Sequence, residues 1–370
     1  MNYLNFHGWR GLLPVVWLAA VLAVPGVACS ASADLLDLPA ARDQRAEHAV
    51  LLAITRAGDR LVAVGERGIV LLSDDNGVSW RQSRSVPCSV ALTAVSFAGA
   101  QHGWAVGHGG VVLHSEDAGE SWQKQLDGTR AAQLELEGAQ AQLASDPQTP
   151  PNRLNAAQQL VIDGADKPFL AVYFADPLHG LVVGAYGLAM LTEDAGVHWR
   201  SVGSELDNPG GMHLYAILGD AQGVIITGEQ GTLLRGPALG QTFSRIQSPY
   251  HGTWFGAVRL GADQDLIFGL KGNAFRLEQS SQWQPVETVE QASFTAGKKL
   301  TDDSLVLVSE GGRLLLSRDQ GGHFQSVSAA ALDGSAITDV TQAADGVLVL
   351  TGARGIKRLN TMALNDGNTP

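Results

Sequence analysis

Short apolar runs follow one another along the chain and are separated by turns rich in Gly, Asp and Asn. The first four runs are 51–54, 61–64, 69–72 and 79–82. They are β-rich and almost continuously apolar, which is typical of strands that are buried on both faces. The pattern predicts small antiparallel sheets that pack face to face.

A phrase repeats over these runs: two glycines separated by two residues, an apolar stretch, then Ser-x-Asp-x-Gly-x-x-Trp. It is intact at 65–80 and at 107–122. The glycine pair, with one Ser variant, continues at Gly184/Gly187, Gly228/Gly231, Gly269/Gly272, Ser309/Gly312 and Gly352/Gly355. Consecutive pairs lie about 40 to 44 residues apart, except for one gap that is longer by about 35. This period predicts an all-β, seven-bladed β-propeller with four-stranded blades.

The Asp of the phrase has a structural explanation. In a hairpin turn its carboxylate can accept backbone N–H bonds, while the following Gly takes a positive φ. The aromatic residue at the end of the phrase can then pack between neighbouring blades. We therefore expect structural roles for the four intact Asp turns, at Asp75, Asp117, Asp194 and Asp319.

The last unit, 337–359, shows only about three apolar runs before the chain becomes polar. Its outermost strand is expected to come from the N-terminal side, around Asp34 to Pro39. Such a strand would close the ring and remove an exposed sheet edge.

An insertion interrupts the repeat between the second and third blades, at 126–168. Two stretches rich in Ala, Gln, Leu and Glu favour helix, and the proline-rich segment 146–151 separates them. The insertion is therefore predicted to be a helical hairpin. An isolated pair of such short helices is marginal, so it must lean on the propeller or on a partner.

Residues 1–33 have the plan of a secretory signal peptide: Arg10, an apolar run, and an Ala-Ser-Ala site that ends at Ala33. The propeller domain is then 34–370, exported to the periplasm, or to the thylakoid lumen in a photosynthetic host. Lipoprotein processing at Cys29 is the less favoured alternative, since Gly26 fits that box poorly. Cleavage after Ala33 leaves Cys88 as the only thiol, with no disulfide possible.

The formal net charge of −12 disfavours binding to nucleic acid or to anionic lipid. The sequence lacks a zinc-type Cys/His spacing, a nucleophile elbow, a P-loop and a dinucleotide fingerprint. We therefore expect a monomer that is not an enzyme, with no catalytic residue, no metal site and no cofactor.

Loops that join blades open on the same face of a propeller as those between the second and third strands of each blade. The insertion therefore shares a face with the Gly-x-x-Gly turns, and the Asp turns lie on the other. We take this first face as a candidate partner-binding surface, because Arg and aromatic residues are enriched where proteins bind. The candidate residues are Arg67, Arg354, Lys271, Tyr186, His108, Tyr250 and His251. The alternative is that they are ordinary turn residues in solvent.

The units Gly-Glu-Arg-Gly-Ile-Val-Leu-Leu-Ser-Asp-Asp-Asn-Gly-Val-Ser-Trp and Gly-His-Gly-Gly-Val-Val-Leu-His-Ser-Glu-Asp-Ala-Gly-Glu-Ser-Trp resemble repeats of the photosystem II stability and assembly factor family. The resemblance implies an exported, non-catalytic propeller that assists assembly of a membrane protein complex through a basic surface. That surface would correspond here to Arg67, Lys271 and Arg354. In a non-photosynthetic host, the corresponding role would be beside an envelope transporter.

The same Asp turns also resemble those of sialidases and related glycoside hydrolases. The alternatives are therefore a glycan- or peptidoglycan-binding module, or a sialidase-like hydrolase. The latter would use Arg67, Arg354 and Tyr186 with Glu229 or Glu310. A sialidase needs a third arginine, which no equivalent turn supplies.

Overall fold

The computed structural model describes residues 34–262, 264–278 and 282–360. The signal peptide, its cleavage after Ala33 and lipidation at Cys29 lie outside these residues. Within them, no helix is both long and apolar enough to cross a membrane.

The described chain forms seven antiparallel sheets, each built from strands that follow one another in sequence. Blade one contains β1 (Leu51–Ala57), β2 (Arg60–Gly65), β3 (Val70–Ser73) and β4 (Arg81–Gln82). Blade two contains β5 (Leu92–Ala98), β6 (His102–Gly107), β7 (Val112–Ser115) and β8 (Gln123–Leu126). Blade three contains β9 (Phe169–Phe174), β10 (Gly180–Gly184), β11 (Ala189–Thr192) and β12 (Arg200–Ser201). Blade four contains β13 (Leu214–Asp220), β14 (Gly223–Gly228), β15 (Leu233–Gly236) and β16 (Ser244–Arg245). Blade five contains β17 (Trp254–Gly261), β18 (Gln264–Gly269), β19 (Ala274–Leu277) and β20 (Trp283–Pro285). Blade six contains β21 (Phe294–Lys299), β22 (Leu305–Ser309), β23 (Leu314–Ser317) and β24 (Gln325–Ser326). Blade seven contains β25 (Ile337–Gln342), β26 (Leu348–Gly352) and β27 (Gly355–Leu359).

The predicted seven-bladed propeller is confirmed, with four strands in each of the first six blades and three described strands in the seventh. Apolar side chains fill the space between neighbouring sheets. The aromatic residues of the Asp turns take part: Trp122 joins the core between blades one and two, and Trp199 the core between blades two and three. Cys88 is buried in the first of these cores, and burial raises the pKa of its thiol to about 11, which makes it unreactive.

The predicted closing strand at Asp34 to Pro39 is wrong. The segment turns back on itself, because the Asp34 carboxylate accepts a hydrogen bond from the backbone N–H of Leu36 (3.0 Å). It then crosses blades one and two, where Leu36 is buried and the backbone N–H of Ser89 donates to Leu35 O (2.8 Å). A local Asx-type turn and one buried Leu thus replace a strand.

The ring closes through its inner strands instead, since β25 contacts β1 as every other inner strand contacts the next. The backbone N–H of Ile54 donates to Asp339 (2.9 Å), and the Thr338 hydroxyl donates to Leu51 O (2.7 Å). The outer strand β27 carries Lys357 and Arg358, which are paired with Asp333 and with Asp345, respectively. Charged side chains on an outer strand discourage pairing with another chain.

The insertion forms the predicted helical hairpin, α1 (Gly128–Ser145) and α2 (Asn152–Asp163). Asp127 caps α1, because its carboxylate accepts a bond from the backbone N–H of Arg130 (3.1 Å). Leu134 of α1 and Leu160 of α2 are buried in the core that Trp104 and Phe169 share. The hairpin therefore packs on blades two and three.

Candidate functional site

The Gly-x-x-Gly turns are single 3-10 turns in four blades, at Glu66–Gly68, His108–Gly110, Ala185–Gly187 and Leu270–Gly272. The second variable residue adopts a left-handed conformation, with φ of 54° for Arg67, 57° for Tyr186 and 56° for Lys271. The closing glycine is also left-handed, and a Cβ on Gly68 would lie 2.1 Å from the Cys88 carbonyl oxygen. Backbone geometry thus determines the conformation of the turn.

Acidic residues at the first variable position hold the incoming inner strand. The carboxylates of Glu66, Glu229 and Glu310 accept the backbone N–H of Val50 (3.1 Å), His213 (2.8 Å) and Ser293 (3.0 Å), respectively. The bond from Ser293 lowers the pKa of Glu310, so this carboxyl stays ionised. A general acid must hold a proton near neutral pH, and the arrangement at Glu310 disfavours this.

The cations of the predicted basic surface lie at different turns. Arg67 is in blade one, beside Glu66 (3.4 Å) and Asp43 (3.7 Å). Arg354 is in blade seven, 3.7 Å from Asp333. Lys271 is exposed in blade five.

The turn that holds Arg354 differs from the others. Gly352 pairs directly with Gly355, so Arg354 lies in a two-residue hairpin, and φ is positive at Gly355. Its equivalence with Arg67 therefore holds in sequence position but not in backbone conformation. A shared basic surface of Arg67, Arg354 and Lys271 stays a prediction.

The remaining candidates differ in exposure. His108 and His251 are exposed, whereas Tyr250 is half-buried with its ring edge-on to Trp254 (5.5 Å between centroids). Tyr186 is 59% exposed.

Tyr186 lies in a small cluster beside the hairpin. Its ring stands edge-on to His213 at 4.9 Å, and the ammonium group of Lys167 lies 5.0 Å from the ring centroid. Lys167 is in turn paired with Asp163 at 3.0 Å and with Asp166 at 2.7 Å. The end of α2 is thus connected to the turns of blades three and four, with a cation–π contact at their junction.

A half-buried ion pair holds the hairpin together. The Arg153 guanidinium of α2 donates to both carboxylate oxygens of Glu135 on α1 (2.8 and 3.1 Å) and to the Gln142 side chain (2.8 Å). It also donates to the hydroxyl of Ser201 on β12 (3.0 Å), which donates to Glu135. The geometry is the two-pronged arrangement that arginine forms with carboxylates. We call this network the hairpin clamp; its residues belong to no motif in the sequence.

A groove of about 510 Å³ runs between the hairpin and the loops of blade three. Its walls combine apolar side chains, Leu160, Leu188 and Leu206, with the polar groups of Asp207 and Asn208. Tyr186 lies at the groove, and so do Arg153 and Glu135 of the hairpin clamp. Apolar walls with a few placed polar groups are typical of ligand sites. Tyr186, one of the seven candidate residues from the sequence, lines this groove.

The Asp turns on the other face use their carboxylates locally. Asp75 accepts from the Ser73 and Ser79 hydroxyls (2.8 and 2.6 Å) and from the backbone N–H of Ser79 (2.9 Å). These bonds lower its pKa to about 2. Asp117, Asp194 and Asp319 make the corresponding bonds in their own turns.

Three side chains of types that can bind metals also meet on that face of blade two. His102, His114 and Glu116 each offer one ligand atom, and these atoms lie within 4.8 Å of one another.

The family described as Photosynthesis system II assembly factor YCF48 matches residues 44–146 and 152–332 of the chain. The photosystem II assembly lipoprotein Ycf48 of Synechococcus sp. (strain CC9902) is 32% identical over 77 residues, which cover 21% of this chain and 23% of that protein. The match therefore spans about a quarter of this relative's length.

Two solved structures have a similar fold. The structure described as YCF48 bound to D1 peptide has a TM-score of 0.61 and 16% identity, over 87% of this chain and 98% of that one. YCF48 from Cyanidioschyzon merolae has a TM-score of 0.60 and 14% identity, over 85% and 97%. Since the family match extends over more than half of the described propeller and of the whole sequence, the chain belongs to the photosystem II assembly factor YCF48 family.

Proposed function

We propose that this chain is a non-catalytic assembly factor that holds an extended segment of a membrane protein in the groove between the hairpin and blade three. The observation that carries the proposal is the groove itself, which joins apolar walls to the exposed ring of Tyr186. Family membership supports an assembly role, and the similar fold described as YCF48 bound to D1 peptide supports a peptide as the ligand.

The chemistry of the groove suits a peptide. Leu160, Leu188 and Leu206 can accept apolar side chains, while polar groups at the rim can bind peptide amides. The hairpin clamp holds the hairpin wall of the groove in place before binding, which reduces the conformational entropy that is lost when the peptide binds. Tyr186 adds a large contact surface with little side-chain freedom to lose.

We also infer that the client belongs to a membrane protein complex and that the protein acts after export, as its N-terminal sequence predicts. A photosystem client fits the family, and an envelope transporter is the corresponding client in a non-photosynthetic host. The hydrolase alternative is not favoured, because Glu229 and Glu310 both bond to backbone N–H groups.

The test compares Tyr186→Asn with Gln230→Asn. Both residues occupy the left-handed position of their turns, where Asn is tolerated, but Tyr186 lies at the groove. Binding of overlapping fluorescent peptides of D1 is measured by anisotropy, and capture of complexes from detergent-solubilised membranes by mass spectrometry.

We expect Tyr186→Asn to weaken peptide binding at least about 10-fold, since a central aromatic contact contributes about 2 kcal/mol or more. Gln230→Asn should bind like the wild type. The Arg67→Glu/Arg354→Glu variant tests the basic surface separately. Equal binding by all variants, or turnover of a chromogenic glycoside by the wild type, would refute the proposal.

A further inference from the structure

Three potential metal ligands share one face of the blade-two sheet. In the β6–β7 ladder Trp104 lies opposite His114, and Gly103 lies opposite Ser115. Because side chains alternate between faces along a strand, His102 and Trp104 point the same way as His114. Glu116 follows β7 directly. The three ligand atoms, one from each of His102, His114 and Glu116, lie within 4.8 Å of one another.

Two imidazole nitrogens on this face lack hydrogen-bond partners among the described residues. They are Nδ1 of His102 and Nε2 of His114, and both atoms are buried. The His114 residue is only 8% exposed, with its ring stacked on Trp104 at 4.6 Å and facing the His102 ring at 5.9 Å. Buried polar atoms in native proteins are nearly always bonded, so two neighbouring exceptions require an explanation.

The equivalent position of blade three shows how such a histidine is normally held. His179, like His102, precedes the glycine at the beginning of the second strand of its blade. Its Nδ1 lies 2.8 Å from a carboxylate oxygen of Asp176. In blade two the position that corresponds to Asp176, three residues before the histidine, is Gly99, which has no carboxylate.

The neighbouring Asp turn does not supply the missing partners. The Asp117 carboxylate is already bonded to the Ser115 and Ser121 hydroxyls and to the backbone N–H of Ser121. Glu116 is exposed beside the two rings, and its negative charge lies close to them.

We propose that His102, His114 and Glu116 form a binding site for a divalent late transition metal ion, of which Zn²⁺ is the representative. Two imidazoles and one carboxylate are a ligand set that Zn²⁺ accepts, whereas Mg²⁺ and Ca²⁺ prefer oxygen alone. Ligand atoms around a tetrahedral Zn²⁺ are about 3.3 Å apart, so the three side chains need only a small adjustment to bind the ion. Three protein ligands leave the fourth position open.

The site has no counterpart in the usual sequence patterns for zinc. Its histidines are separated by a β-hairpin and come together only because β6 and β7 pair in this register. The site also lies away from the groove, on the Asp-turn face of blade two. Metal binding should therefore stabilise the propeller without contributing to peptide recognition.

The test is titration of the untagged full chain with Zn²⁺ by calorimetry, together with visible absorption of the Co²⁺-loaded protein. We expect one equivalent of Zn²⁺ per chain and the intense absorption of a tetrahedral Co²⁺ site. His102→Gln and Glu116→Gln should each weaken binding at least about 100-fold, because even the loss of an outer-shell partner costs 10- to 100-fold. Both side chains reach the surface, so these variants avoid the buried His114.

His179→Gln is the matched control, since it removes an equivalent histidine from blade three, and it should bind Zn²⁺ like the wild type. Circular dichroism establishes that each variant is folded. Failure of the wild type to bind Zn²⁺ would overturn the proposal. Binding that survives both His102→Gln and Glu116→Gln, or that His179→Gln removes equally, would also overturn it.

Discussion

The two faces of the ring carry turns of the same repeat, but they use their side chains in opposite ways. On one face, Asp194 binds the Thr192 hydroxyl (2.9 Å) and both the backbone N–H (2.8 Å) and the ring (2.7 Å) of His198. On the other, the turn at Arg67 is closed by backbone bonds, such as the bond from the N–H of Gly65 to Ile69 O (3.0 Å). The Arg67 side chain remains 64% exposed.

This difference indicates that one face stabilises the fold and that the other can bind a partner. A turn that depends on side-chain bonds restricts which residues can occupy it. In three Gly-x-x-Gly turns a Glu at the first variable position makes such a bond, but the second variable residue, as at Arg67 and Tyr186, is exposed and can vary. The Gly-x-x-Gly face can therefore be adapted to a partner without loss of the fold. The hairpin and its groove lie on that face, where Tyr186 is exposed.

The largest effect on stability is expected at the hairpin clamp. Arg153→Leu leaves Glu135 buried without its cation, and breaking a buried pair in this way costs about 3 kcal/mol. We expect the hairpin to open locally while the blades remain folded. Hydrogen exchange should accelerate in α1 and α2, with the inner strands unchanged.

Arg130→Leu is the control for this prediction, because it breaks an exposed pair of α1 with Glu137. It should cost less than about 1 kcal/mol. If both variants accelerate exchange equally, the hairpin clamp is not what holds the insertion to the propeller.

A smaller effect is expected on the Asp-turn face. Asp194→Asn keeps some bonds of the turn but loses the carboxylate that pairs with His198, at a cost of about 1 kcal/mol for a partly exposed group. The backbone N–H of His198 is the largest cause that lowers the pKa of Asp194. A lowered native pKa stabilises the fold above the unfolded value of 3.8, and this contribution is lost as pH falls through the native pKa.

Thermal unfolding of Asp194→Asn should therefore differ from that of the wild type at pH 7 and approach it as the pH falls below 4. Glu193→Gln changes the exposed neighbouring carboxylate and should match the wild type across the range. A difference that does not change with pH would mean that the ionised carboxylate is not the stabilising feature.

The smallest effect is expected at the Gly-x-x-Gly turns themselves. Arg67→Asn retains a residue that tolerates the left-handed conformation, and its ion pairs are exposed. The free energy of unfolding should change by less than about 0.5 kcal/mol in urea titrations. A loss above about 1 kcal/mol would contradict the assignment of this face to variable, partner-facing side chains.

Much of the fold could be predicted from the sequence because each blade contains its own turn motifs. The glycine pair and the Asp turn marked where strands begin and end, and their period counted the blades. The N-terminal segment was misjudged because the last unit lacked a fourth apolar run, and Asp34 to Pro39 was expected to supply it. The Asp34 carboxylate instead favours a turn, and Leu36 is buried in the core between blades one and two.

The candidate site was only partly accessible. Tyr186 was identified from its turn, and its place at the groove depends on α2, which lies earlier in the chain. The hairpin clamp joins α1, α2 and β12, and its residues carry no motif. The sequence offered one Arg in α2, Arg153, and two Glu residues in α1, Glu135 and Glu137, which is insufficient to specify a pair.

By itself, the sequence determined the repeated elements: the short buried strands, the turns that separate them and the helical character of the insertion. These depend on interactions between residues close together in the chain, such as an Asp with its own turn or a glycine with its own backbone. Only the tertiary structure decided the contacts that join distant segments. Ring closure at Asp339, the hairpin clamp and the approach of His102 to Glu116 all require strands or helices to be packed first, because their energies depend on burial and distance rather than on local propensity.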